Sequence, residues 1–322
     1  MRTMWKMITF GEGSHGHRAA AKRLEGQANA GRAFDEVERF DAKILRRRYP
    51  DFFREHSGFL ESNPRGFGYW IWKPFLILRA LEELPENWNL AYIDGGCVFN
   101  LNEVSRHRLQ EYKDHASRNS VWCTELTTSL EQDYRNETWC KEDALRFLEA
   151  DRVTASSNQV QAGMLMLSNN QTSRDLVADW YKAAISEGYR FIDDSKSISK
   201  NSLSFIEHRH DQALFSVLFR QRNLRALPDE SFFPNAWTTD GAGFPIWAAR
   251  WTFSTPFSPN KPRGILVWME QLLRMGPKGV IREIKRRLDS VTFGRLKFLR
   301  FWVLLKTVDD PRAPGSGERF HS

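Results

Sequence analysis

A helical pattern followed by a short apolar strand that stops at one carboxylate and two glycines dominates residues 66–100. The stretch opens as Gly66-Phe67-Gly68-Tyr69-Trp70-Ile71-Trp72-Lys73-Pro74 and closes as Leu90-Ala91-Tyr92-Ile93-Asp94-Gly95-Gly96. Between them Phe75, Leu76, Leu78, Leu81 and Leu84 recur close to the helical period. Pro74 suits a first helical turn and Pro85 a stop. A strand fed by a helix and ending in Asp-Gly-Gly is the pattern of a doubly wound α/β sheet, whose ligands gather at the carboxyl ends of the strands.

The rest of the chain continues that alternation. Residues 7–10 read as a buried strand running into the loop Gly11-Glu12-Gly13-Ser14-His15-Gly16, then a helix over 17–28. A second strand is expected at 33–37, helices at 41–48 and 50–56, a helix at 101–115 and a strand at 120–124. A helix at 141–149, a buried strand at 160–167 and helices at 173–186 and 211–219 follow. Strands and helices in turn predict a mostly parallel sheet with helices on both faces. After about residue 235 the alternation stops. Basic amphipathic pieces are expected at 265–275 and 280–305, and a disordered polar tail at 311–322. The predicted domains are therefore 1–235, a basic helical extension over 236–310, and the tail.

Charge and cysteine content exclude several classes. The net charge of +7 is concentrated at the end: residues 261–322 hold 14 Lys and Arg against 6 Asp and Glu. The body is thus close to neutral, which argues against nucleic acid as its partner. The basic end, with Trp268, Phe293, Phe298, Phe301 and Trp302 among its Lys and Arg, suits an anionic membrane surface, or else a helix packed on the body with its charges solvated. Three cysteines without metal-like spacing fit a reducing compartment. Neither a signal-peptide pattern nor an apolar run long enough to span a bilayer is visible, so a cytoplasmic protein, peripheral on the inner face of the membrane, is expected.

Four groups of residues could carry chemistry. Asp94, with Gly95 and Gly96 allowing close approach, could hold a divalent cation that clamps a diphosphate, or could be a turn residue. Lys73, at the start of a helix, opposes the helix dipole unless an anion sits beside it; the alternative is a solvated lysine. Glu207-His208-Arg209-His210-Asp211-Gln212 offers Asp211 and Gln212 as sugar-binding groups and His210 as a metal ligand, or a helix cap in a surface loop. Gln161 and Gly163 open an otherwise apolar strand, where the glycine permits close approach or merely packs. The loop after Phe10 and Gly11 lacks a complete phosphate-binding signature but leaves backbone amides for a nucleotide.

Taken in order, these blocks resemble a sugar-nucleotide-dependent glycosyltransferase of the GT-A fold. The segment G-F-G-Y-W-I-W-K-P with Y-I-D-G-G resembles bacterial glycosyltransferase-like proteins associated with surface polysaccharides. More distantly, the order is similar to that of glycogenin-like transferases. The resemblance implies a GT-A-like α/β sheet and transfer from a nucleoside-diphosphate sugar to a glycan or lipid-linked acceptor. It implies Phe10, Gly11, Lys73, Asp94, Gly95, Gly96, Gln161 and Gly163 as donor-binding, Asp211 and Gln212 as catalytic, and Mn2+ or Mg2+ held by Asp94 and His210. The chain departs from the D-x-D pattern, because Gly96 stands in place of a second carboxylate. Lys73 and other basic groups are then the alternative neutralisers of the diphosphate. Glu125, Asp193 and Asp194 are the carboxylates available as an acceptor-side base. The rival reading is a non-catalytic sugar- or nucleotide-binding α/β protein or partner subunit.

Overall fold

In this computed structural model the described residues are 2–128, 132–233 and 236–257. They belong to one compact unit, Met1–Pro259. The expected amphipathic pieces at 265–275 and 280–305, the tail and the aromatic membrane-facing residues lie outside the described residues.

The first strand β1 (Met4–Phe10) leads into α1 (His15–Ala30), which Ser14 caps by accepting from the His17 amide at 3.2 Å. The edge strand β2 (Glu36–Phe40) follows, then α2 (Ala42–Arg48) and α3 (Pro50–Ser62). A single turn, α4 (Gly66–Tyr69), precedes α5 (Trp72–Glu83), which ends where Leu84 turns extended before Pro85. Then come β3 (Trp88–Ile93), the short β4 (Val98–Phe99) and α6 (Glu103–Asn119), with a capping box between Asn102 and Ser105.

Two short strands, β5 (Val121–Trp122) and β6 (Thr124–Glu125), precede the small helices α7 (Asn136–Trp139), α8 (Glu142–Phe147) and α9 (Arg152–Ser156). The unit closes with β7 (Met164–Leu167), α10 (Gln171–Ile185), α11 (His210–Gln221), β8 (Leu227–Pro228) and β9 (Ile246–Trp247).

The central sheet has the order β2-β1-β3-β7-β5. β2, β1 and β3 are parallel, and β7 runs against both β3 and β5, so four of the five strands point one way. Alternation along the strands builds two cores. Ile8, Phe10, Leu90, Tyr92, Leu165 and Leu167 face α5, α10 and α11. Trp5, Met7, Ala91, Ile93, Met164 and Met166 face α1 and α6. The result is the expected α/β sheet covered on both faces.

Several boundaries moved for physical reasons. The strand expected at 33–37 forms three residues later: Ala33 and Phe34 drop into the core, and the edge strand instead pairs Glu36 and Glu38 with Lys6. The strand expected at 160–167 keeps only Met164–Leu167. Upstream the chain leaves β3 for the neighbouring segment, where the Gln161 amide donates to Thr124 O and Val160 bridges Glu125. The expected end of the body near 235 falls inside the unit, because β9 pairs with β4 and Trp247, Ala249 and Trp251 form a small core with Val98.

Candidate active site

β1 and β3 end on the same edge of the sheet, which brings Phe10-Gly11 and Asp94-Gly95-Gly96 together. Gly11 and Gly95 both serve the packing of α1. A Cβ on Gly11 would lie 2.6 Å from the Ala21 Cβ and the His17 carbonyl, and one on Gly95 would lie 3.1 Å from Ala21. Phe10 is buried and stacks on Trp72, with ring centroids 3.8 Å apart. These residues shape the edge rather than present side chains at it.

Antiparallel pairing fixes Asp94. Ile93 pairs with Met164, so the next residues meet as well, and the Asp94 amide donates to Gly163 O at 2.8 Å. A Cβ on Gly163 would stand 2.7 Å from Asp94 Oδ2. Gly163 is therefore required by the position of one carboxylate.

Lys73 lies under that carboxylate. Its side chain is only 4% exposed, and its Nζ sits 2.7 Å from Asp211 Oδ2 and 3.5 Å from both Asp94 Oδ1 and Ala162 O. Tyr92, two residues before Asp94 and wholly buried, donates its hydroxyl to Asp94 Oδ1 at 2.5 Å. Burial and the Asp94 charge hold the Tyr92 phenol well above its ordinary value, so it stays a donor. Burial opposes the charge on Lys73, but Asp211 and Asp94 outweigh it and raise its pKa. The anion expected beside this helix N-terminus is thus supplied by the protein. Asp211 is buried and ion-paired, whereas the Asp94 side chain remains 43% exposed.

The turn that delivers Lys73 is strained. Residues 66–70 all have positive φ, from 49° to 79°. Three of them, Phe67, Tyr69 and Trp70, carry side chains, and each such residue costs about 1–2 kcal/mol in this region. The Trp72 indole donates to Gly66 O at 2.9 Å and closes the turn. His210 also has positive φ, and its ring lies against Tyr69 and Trp70.

The other predicted residues fall around this cluster. Gln212 donates to Gln159 Oε1 at 2.9 Å, and Gln161 donates to Ser231 Oγ at 3.1 Å, which in turn donates to Asp229. His210 Nδ1 meets the Ile192 carbonyl at 2.7 Å, and Nε2 faces Asp194 at 3.6 Å. Asp94 lies beyond ion-pair distance of either nitrogen, so the structure does not bring these two expected metal ligands together. Among the described residues no group of three or more His, Cys, Asp or Glu converges as a metal site. Tyr92 and Lys73 hold one Asp94 oxygen, and the ammonium occupies the space between the two carboxylates. The residues present do not fit a divalent cation between Asp94 and Asp211.

Of the three carboxylates considered as a base, Glu125 is paired with Arg220 at 2.7 Å and Asp193 with Lys141 at 3.0 Å. Asp194 accepts from Arg65 and from the Tyr69 hydroxyl at 3.0 Å and is 48% exposed. Sequence reasoning missed Tyr92, which the strand period places on the same side as Asp94. It also missed Arg23, whose Nη2 binds the carbonyls of Gly95, Cys97 and Trp251 and pins the turn. Nothing in the sequence pattern links Arg23 to residues so distant in the chain.

No known protein family matches the sequence, and no curated protein matches it. Among solved structures the chain is similar to mouse xyloside xylosyltransferase 1 in its apo form, with a TM-score of 0.38 and 8% identity over 72% of this chain and 87% of that one. It is similar to the galactosyltransferase LgtC in complex with donor and acceptor sugar analogs, with a TM-score of 0.39 and 13% identity over 80% and 85%. It is also similar to mannose-6-phosphate isomerase from Helicobacter pylori, with a TM-score of 0.29 and 10% identity over 56% and 77%. All three likenesses are weak in both sequence and superposition.

Proposed function

We propose that the protein transfers a sugar from a nucleoside-diphosphate sugar to a glycan or lipid-linked acceptor at the edge of the sheet formed by β1 and β3. The observation that carries this reading is the Asp94–Lys73–Asp211 cluster. One carboxylate is half-exposed at a strand end, where doubly wound sheets receive ligands, and it is braced by a buried ammonium, a tyrosine and a strained turn. Strain and buried charge are costly, and such features concentrate at functional sites.

In the reaction the bond between the sugar C1 and the diphosphate oxygen breaks, a bond from C1 to the acceptor oxygen forms, and the acceptor hydroxyl loses its proton. The leaving diphosphate keeps the electron pair, so the protein must stabilise that developing charge. Asp94 faces the donor. Lys73 and Asp211 are positioning residues that act through Asp94, because neither is exposed. Asp194, the exposed carboxylate beside Tyr69 and His210, is the candidate acceptor for the departing proton.

The test is release of nucleoside diphosphate from a panel of nucleoside-diphosphate sugars, with wild type and Asp94→Ala. The expected result is turnover of at least one donor, reduced about 100-fold or more in the variant. Full activity in Asp94→Ala, or no binding of any donor, would contradict the proposal. Tight binding without release would favour the non-catalytic sugar-nucleotide module.

A further inference from the structure

A bound nucleoside diphosphate brings at least two negative charges to a cluster that is itself negative. Asp94 and Asp211 contribute two charges and Lys73 returns one. Lys73 cannot meet the phosphates, because it is buried beneath Asp94. Some other cation must face them.

Two arginines border the cluster along the chain or through the backbone. Arg250 is exposed and held in the left-handed region at φ 51°, and its Cα lies 3.4 Å from where a Gly96 Cβ would be. The following residue locks this contact, as the Trp251 amide donates to Gly96 O at 2.8 Å. Arg209 directly precedes His210 and Asp211, and lies 3.7 Å over the Trp139 ring and 5.4 Å over Tyr134. Neither arginine is ion-paired with a carboxylate among the described residues. Burial pushes the Arg209 pKa down, Tyr134 and Glu207 oppose that shift, and the charge of Arg250 adds to it.

We propose that this site takes its nucleoside diphosphate without a divalent cation, the phosphates resting on Arg250 and Arg209 while Lys73 neutralises the carboxylates beneath. The proposal rests on the sugar-nucleotide reading of the same site. The two arginines turn the net charge facing the ligand from negative to positive, and a guanidinium can bind two phosphate oxygens at once. The left-handed backbone at Arg250 then has a purpose: it holds that residue against the turn that carries Asp94.

The experiment is calorimetric titration of the full chain with UDP, GDP, ADP and CDP, in EDTA and in Mn2+, for wild type, Arg250→Ala and Arg209→Met. Electron paramagnetic resonance of Mn2+ with the same ligands is the second readout. At least one diphosphate should bind with affinities in EDTA and Mn2+ that agree within about 3-fold, and Arg250→Ala should weaken it about 10-fold or more. Protein should not deplete the free Mn2+ signal. Binding that requires Mn2+, or that Arg250→Ala and Arg209→Met leave unchanged, would overturn the inference while the sugar-nucleotide reading stands. Absence of binding by all four diphosphates under both conditions would overturn both. Arg250 is exposed, so its variant should fold; an unchanged circular dichroism spectrum and Tm check this.

Discussion

Among the described residues two lysines are buried, Lys73 and Lys141, and they are satisfied in opposite ways. Lys141 Nζ has four acceptors between 3.0 and 3.2 Å: Asp193 Oδ1 and O, and Ser195 Oγ and O. One carboxylate matches one ammonium and neutral oxygens complete the shell. Lys73 faces two carboxylates, with one contact at 2.7 Å and the others at 3.5 Å. The first arrangement clips a loop to α8 and leaves nothing over. The second leaves an excess negative charge, half-exposed, at a strand end. A buried ion with a complete shell holds structure, and one with surplus charge facing solvent marks a place for a ligand.

The sharpest way to break this comparison is to remove each ammonium. Lys73→Met strands Asp211 in the core and should cost about 3–5 kcal/mol in urea unfolding. Adding Asp211→Asn should recover most of that loss without restoring nucleotide binding. If Lys73→Met alone is as stable as wild type, the buried pair is not what holds the site.

Next in size, Gly163→Ala should displace the Asp94 carboxylate, costing about 1–3 kcal/mol and weakening nucleotide binding about 10-fold or more. Retained affinity would show that Asp94 is free to move without consequence. Lys141→Met should cost a similar or smaller amount, about 1–3 kcal/mol, because Asp193 is 22% exposed and can regain water. Nucleotide binding should not change. A loss of binding there would erase the distinction between the two lysines.

The smallest effect is in acid. Burial pushes the Asp193 carboxyl up, but hydrogen bonds from Ser195 and the Lys141 charge bring it below the ordinary range. Its stabilisation is present above the unfolded value near about pH 4 and is lost as pH falls through the depressed folded value. The Tm gap between wild type and Asp193→Asn should therefore close in that window. A gap that widens in acid would contradict the assignment.

The layered fold was legible because alternating periods of 2 and 3.6 are local properties. Asp94 and Lys73 were legible for the same reason: one ends a strand and the other starts a helix. Their partnership was not. Lys73 reads as an exposed cation in search of a phosphate, and only the packing of α5 and α11 on α10 shows Asp211 reaching it first. The motif at residues 66–70 looks like an aromatic cluster, yet its backbone is left-handed throughout, which no side-chain pattern announces when only two of five residues are glycine. The segment after residue 235 reads as an extension because it lacks periodicity, but isolated strand pairs such as β4 with β9 need only two residues each. Arg250 carries no motif, and its place beside Gly96 depends on a contact between residues far apart in the chain.

The most direct test of the central claim is thermal unfolding with a panel of nucleoside-diphosphate sugars, comparing wild type with Asp94→Asn. Ligand binding to the folded state raises Tm with the logarithm of ligand concentration over Kd. At least one donor should raise the wild-type Tm by several degrees at about 100 times its Kd, and Asp94→Asn should lose most of that rise while keeping its ligand-free Tm within a few degrees. No rise with any donor, or the same rise in Asp94→Asn, would contradict the assignment of this strand end as the donor site.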